Sequence, residues 1–183
     1  MSVIAAYYYN ACKRIREIAL DERFEQDEAR SGFCWIALRE PSADELHTLQ
    51  AAYHLHPLAV DNAMHPLCPP KLEVYNDELY IVAQTAELVG DKISYGKTAI
   101  FTGHNHLITA RHGNGGALGN LREQLEASPT LLGKGVDYVL HAILHRIVDQ
   151  YLPIFEMIED DVLAMERRSL GSFLGRDDVA RIF

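Results

Sequence analysis

Three polar residues stand four apart in the segment LHAILHRIVDQ: His141, His145 and Asp149. On an α-helix this spacing sets them along one stripe, each a turn above the last. Imidazoles at i and i+4 can share a metal ion, and a carboxylate one turn further can join or orient them. The same segment carries Leu140, Ile143, Leu144, Ile147 and Val148, an apolar set suited to a core. Two readings of the stripe stand side by side. It is a metal site, or it is structural, with histidines on a core-facing helix satisfying sheet carbonyls and Asp149 capping a loop. Simpler roles suit the other histidines: His54, His56 and His65 flank a short helix, and His104 and His106 fall in a solvated hairpin turn. The acidic run Glu156, Glu159, Asp160, Asp161, Glu166 reads as a solvated face, the alternative use being to raise the local cation concentration.

Nucleophile and phosphate motifs are missing from the sequence: it has no GxSxG, Walker loop, GxGxxG or HExxH. The stretch GNGGALGN lacks the Lys and Ser/Thr of a phosphate loop and reads as a flexible connection. No enzyme is expected. With 26 acids against 17 bases, the net charge of −9 disfavours nucleic acid and suits cations. Cys12, Cys34 and Cys68 are isolated, which argues for reduced thiols and against a disulfide framework or a zinc knuckle. The N-terminal segment lacks the order of a signal peptide, and no uninterrupted run of 18 apolar residues occurs.

These residues need a scaffold, and 183 residues can bury one sizeable core. Residues 3–9 and 13–18 read as strands joined at Asn10, and FCWIAL (33–38) is an apolar run of strand length. Ser42 with Glu45 makes a capping box, followed by Leu46, Leu49 and Tyr53 at helical spacing. Pro57 opens a second helix and Pro66 ends it. Two hairpins follow, one turning at Asn76-Asp77 and one at Gly103 and Asn105, then a short helix at 118–127. From Val136 to about Arg168, apolar residues recur in steps of three and four, predicting one long helix of about 48 Å if continuous, in which Pro153 kinks the axis or removes one hydrogen bond. The expected fold is α/β (α+β), a mixed sheet sandwiched between helices. The expected division is a domain over 1–135 and a long helix over 136–183, reaching towards a partner and cut before its end. Residues 136–152 should pack on the sheet, and 155–168 should leave it.

HPLAVDNAMHPLCPPKLEVYNDELYIV (56–82) resembles a conserved block of the CorA-type divalent-cation transporters. IFTGHNHLITAR (100–111) is similar to a strand pair of that family, and DYVLHAILHRIVDQYLPIFEMIEDDVLAMERR (137–168) to the start of its stalk helix. The resemblance implies a funnel-shaped homopentamer whose cytoplasmic α/β/α domains, on the inner face of the plasma membrane, feed long helices into a pore. The membrane helices and their Gly-Met-Asn signature are absent from this sequence, so the chain is expected to be a soluble sensing part that joins the membrane only through missing C-terminal helices. Divalent ions (Mg, Co or Zn) are implied both as regulators and as the transported species, with no organic cofactor.

Carried over residue by residue, the resemblance implies a metal site at Asp61, Asn62 and His145, with His141 and Asp149 as weaker members. The family often has a carboxylate pair where this chain has Asp61-Asn62, and a carboxylate where it has His145. Imidazole suits Zn²⁺, Ni²⁺ or Co²⁺ better than Mg²⁺, so the zinc-transporting ZntB branch is an alternative, as is a soluble metal-responsive adaptor. Asp61 of one subunit is expected to approach His145 of its neighbour.

Overall fold

The structure, a computed structural model, describes residues 2–22, 32–65, 68–113, 118 and 120–171. Seven strands form one sheet: β1 (Val3–Asn10), β2 (Lys13–Glu17), β3 (Gly32–Arg39), β4 (Lys71–Tyr75), β5 (Glu78–Val89), β6 (Lys92–Thr102) and β7 (His106–Gly113). Their spatial order is β2-β1-β3-β7-β6-β5-β4. Neighbours run antiparallel except β3 and β7, which are parallel and pair Cys34 with His106 through to Arg39 with Arg111. The mixed sheet expected from the sequence is present.

Alternation along the strands supplies two apolar faces. One face, with Cys34, Ile36, Leu38, Tyr80, Val82, Phe101 and Ile108, packs against α1 (Ala43–Tyr53) and α2 (Pro57–Met64). The opposite face presents Phe33, Trp35, Ile81, Ile100 and Leu107 to α3 (Leu121–Glu126), α4 (Pro129–Leu132) and α5 (Val136–Asp149). A further helix, α6 (Leu152–Gly171), follows.

The local signals mostly act as expected. Ser42 Oγ accepts from the Glu45 amide at 3.2 Å while the Glu45 carboxylate accepts from the Ser42 amide at 2.8 Å, and Leu46, Leu49 and Tyr53 are buried. Pro57 begins α2, which ends at Met64; Pro66 lies outside the described residues, as does most of GNGGALGN. Asn76 adopts φ 55° at the β4–β5 turn. Two turns differ. The first hairpin turns at Ala11 and Cys12, both left-handed, with Asn10 still paired to Lys13. A further hairpin at Gly90-Asp91, absent from the sequence reading, joins β5 to β6 and extends both strands beyond the core.

The long helix is not continuous. It breaks at Gln150-Tyr151, and Pro153 falls in the first turn of α6, where its missing N–H costs no helical bond. Val139, Ile143 and Ile147 of α5 are buried on the sheet, and among the described residues Ile154 of α6 is the last buried one. Beyond it Phe155, Ile158, Val162 and Leu163 are exposed, as expected for a segment that leaves the sheet.

Candidate metal-binding site

The stripe on α5 faces outward. Val139, Ile143 and Ile147 take the buried side of the helix, so residues two positions from them point to solvent. His145 and Asp149 have side chains 64% and 44% exposed, and His145 Nδ1 lies 3.0 Å from Asp149 Oδ2. The His141 ring stands 6.0 Å from that of His145. This arrangement corrects the structural reading. The histidines do not satisfy sheet carbonyls, and Asp149 pairs with His145 within its own helix. In the neutral tautomer that donates Nδ1–H to Asp149, Nε2 of His145 keeps its lone pair for a cation.

The other wall of this groove is α3 with the start of α4. Gln124 and Ser128 face Tyr138, His141 and His145 across a cavity of about 390 Å³. Arg122 fixes α3 to the sheet: its guanidinium lies 4.0 Å from the Trp35 ring centre and donates to Tyr9 Oη at 2.9 Å and to the Trp35 carbonyl at 3.2 Å. Tyr9 in turn donates to Glu126 at 2.7 Å, and burial pushes its phenol well above the usual range. The α5 stripe is therefore carried by a helix with a buried underside and a firmly seated neighbour.

Asp61 and Asn62 lie on α2, on the opposite face of the sheet, with Asp61 exposed and Asn62 half-buried. The helix is held at both ends. His56 caps its N-terminus through a bond from the Leu58 amide, and its ring stacks on Tyr75 at 3.9 Å. Lys97 of β6, only 3% exposed, extends its ammonium to the C-terminus and donates to the carbonyls of Asn62 (3.3 Å), Ala63 (3.0 Å) and His65. The Asn62 and Ala63 carbonyls lie in the last turn of α2, at the negative end of the helix dipole, while the His65 carbonyl just beyond it also accepts from the Cys68 amide at 3.3 Å. Sequence reasoning missed Lys97. Its signal is parity: Lys97, Ala99 and Phe101 share one side of β6, so the lysine had to point inward.

His104 is exposed in the β6–β7 turn as expected, but His106 is not. It begins β7 with 4% exposure, because the strand parity that buries Ile108 and Ala110 carries it to the α1 face. Among the described residues no three His, Cys, Asp or Glu side chains converge on one point. Within one chain the sheet separates Asp61 from His145.

The sequence profile of the CorA-like Mg²⁺ transporter protein family matches residues 30–180. The chain belongs to that family. Bacillus subtilis YfjQ, whose name proposes a metal ion transporter, is 28% identical over 145 residues, covering 79% of this chain and 44% of YfjQ. A Schizosaccharomyces pombe protein with the same kind of name is 22% identical over 144 residues, covering 77% of this chain and 23% of its own length. The chain thus spans less than half the length of these relatives. The soluble domain of CorA from Methanocaldococcus jannaschii matches the structure with a TM-score of 0.70 at 21% identity, over 100% of this chain and 70% of that one. The ZntB cytoplasmic domain from Vibrio parahaemolyticus gives 0.67 at 13% identity, over 89% of this chain and 64% of that one. At such identities the likeness is one of fold. In this CorA-like chain no described helix is long and apolar enough to cross a membrane.

Proposed function

We propose that this CorA-like chain is the cytoplasmic, cation-sensing part of a divalent-cation transporter, and that cations act by joining subunits. One observation carries the reading. Asp61 and the His145–Asp149 pair project from outer helices on opposite faces of one sheet, and among the described residues neither gathers three metal-ligating side chains. Subunits arranged around an axis would set α2 of one against α5 of the next. A cation shared there offsets carboxylate repulsion, and its loss lets the subunits separate, so cation level biases the assembly.

His145 favours a second, narrower reading, in which the ion sensed and carried is Zn²⁺ or another borderline metal, as in a ZntB-like transporter. Mg²⁺ demands oxygen ligands in an octahedron, whereas imidazole suits Zn²⁺, Co²⁺ or Ni²⁺. Light scattering of the chain with Mg²⁺, Co²⁺ or Zn²⁺ tests both. Without metal we expect monomer or weak dimer. A borderline cation should shift the chain to a larger assembly. His145→Ala should remove that shift, and His145→Asp should transfer it to Mg²⁺. A stable pentamer without metal, or association indifferent to every divalent cation, refutes the sensing role.

A further inference from the structure

A second polar cluster lies on the α1 face, where β5 and β7 begin at the same end of the sheet. Tyr53 and His54 at the end of α1, Glu78, Asn105 and His106 line a cavity of about 350 Å³, with Glu22 at its rim. The His106 ring is built into the fold. A Cβ at Gly103 would meet its Cε1 at 2.6 Å, and the Tyr53 ring tilts against it at 5.4 Å. Nδ1 lies 3.3 Å from Asn105 Oδ1, and Nε2 lies 3.7 Å from Glu78 Oε1. Among the described residues this buried Nε2 has no hydrogen-bond partner.

The chemistry follows from those two distances. In the tautomer that donates Nδ1–H to Asn105 Oδ1, the Nε2 lone pair faces a carboxylate oxygen, two acceptors opposed in a buried place. A separation of 3.7 Å is too long for a hydrogen bond between them. A cation between the two groups turns the opposed lone pairs into ligands. Two bonds of about 2.1 Å can span the gap at an angle open to a four-coordinate ion. Glu22 is already paired with Arg16, which leaves water and the cavity rim to fill the other positions.

We infer that the Glu78–His106 cleft binds one borderline transition-metal ion, Zn²⁺, Co²⁺ or Ni²⁺, through His106 Nε2 and a Glu78 carboxylate oxygen. One imidazole and one carboxylate discriminate against Mg²⁺. The site lies within a single chain and does not depend on the association proposed above.

Cobalt is the probe. Its visible absorption is followed as Co²⁺ is added to the metal-free His145→Ala chain, with calorimetry for stoichiometry and light scattering to establish the monomer. One Co²⁺ per monomer is expected, resistant to excess Mg²⁺ and displaced by Zn²⁺. Adding Glu78→Gln or His106→Gln should weaken binding at least roughly tenfold. Circular dichroism checks that each variant folds, and Glu78→Gln, at a partly exposed carboxylate, carries the test if His106→Gln does not. No Co²⁺ on the monomer, binding unchanged by Glu78→Gln, or ready displacement by Mg²⁺ each overturns the assignment. Loss of cation-driven association in His145→Ala, with Co²⁺ still bound, would separate this site from the one between subunits.

Discussion

Lys97→Met isolates what holds α2 in place. The substitution keeps the length and approximate volume of the side chain and removes its charge. Three carbonyls lose a donor, but only the Ala63 contact is wholly buried, so the other two can recover water. A hydrogen bond from a charged donor contributes about 1.5–3 kcal/mol, and a cation at a partly buried helix C-terminus up to about 2 kcal/mol. Against this, the variant no longer desolvates an ammonium, an effective cost of several kcal/mol; the same burial lowers the Lys97 pKa. The balance is a loss of about 2–3 kcal/mol, or about 5–10 °C in Tm for a chain of this size. Urea unfolding followed by far-UV circular dichroism at pH 7 measures the loss. Hydrogen exchange locates it, because the His65 amide, bonded to the Asp61 carbonyl at 3.2 Å, should exchange faster. A change below about 0.5 kcal/mol, or a gain, would mean that desolvation cancels the three bonds. Lys97 would then not be what seats α2.

The boundary of the core at Ile154 predicts a contrast along α6. Ile154→Asp should cost roughly 3 kcal/mol by urea unfolding, whereas Ile158→Asp, 45% exposed, should leave the monomer Tm nearly unchanged and weaken association. A large fall in monomer Tm for Ile158→Asp would place that residue in the core. Glu40 is held below its ordinary 4.5 chiefly by the Gly113 amide, 2.7 Å from Oε1, and then by His112. Its folded pKa is the lower one, so its stabilisation is present above the unfolded value and is lost as pH falls through the folded value. Glu40→Gln should therefore flatten the urea midpoint against pH below about 4.5, and an unchanged slope would remove Glu40 from the acid response. Gly103→Ala should cost about 1–3 kcal/mol by urea unfolding, because the new methyl meets the His106 ring at 2.6 Å; full stability would show that the ring shifts freely.

Local chemistry was legible wherever one residue type has one use. The Ser42–Glu45 box, Pro57 at the start of α2 and Asn76 in its turn act through bonds to near neighbours, and sequence spacing reports such bonds. The β5–β6 turn was hidden because both strands run past the core. Val89 and Tyr95 are exposed there, so alternation no longer tracks burial. The break at Gln150-Tyr151 was hidden for the opposite reason: Ile147, Tyr151 and Ile154 continue the apolar steps across it, and only Pro153 marks the change. Lys97 and His106 were readable by strand parity, but each has a polar character that suggests solvent. The α5 stripe was legible as a stripe. Its direction was not, since Ile143 and Ile147 decide which side of the helix is buried.

The seam between β3 and β7 bears on the order in which the chain is made. Thr109 donates to the Ile36 carbonyl across it, a contact between residues 73 apart. Strands β4 to β7 are successive hairpins and can close locally, whereas this parallel pairing must wait for a long loop to be gathered. During synthesis β1, β2 and β3 emerge first. β3 then presents an open edge, with side chains apolar on both faces from Phe33 to Leu38, until β7 has been translated. That interval is when this protein is most exposed to aggregation. Slower translation between Arg39 and His106 should prolong it, and a chaperone that covers one unpaired apolar strand should shorten it.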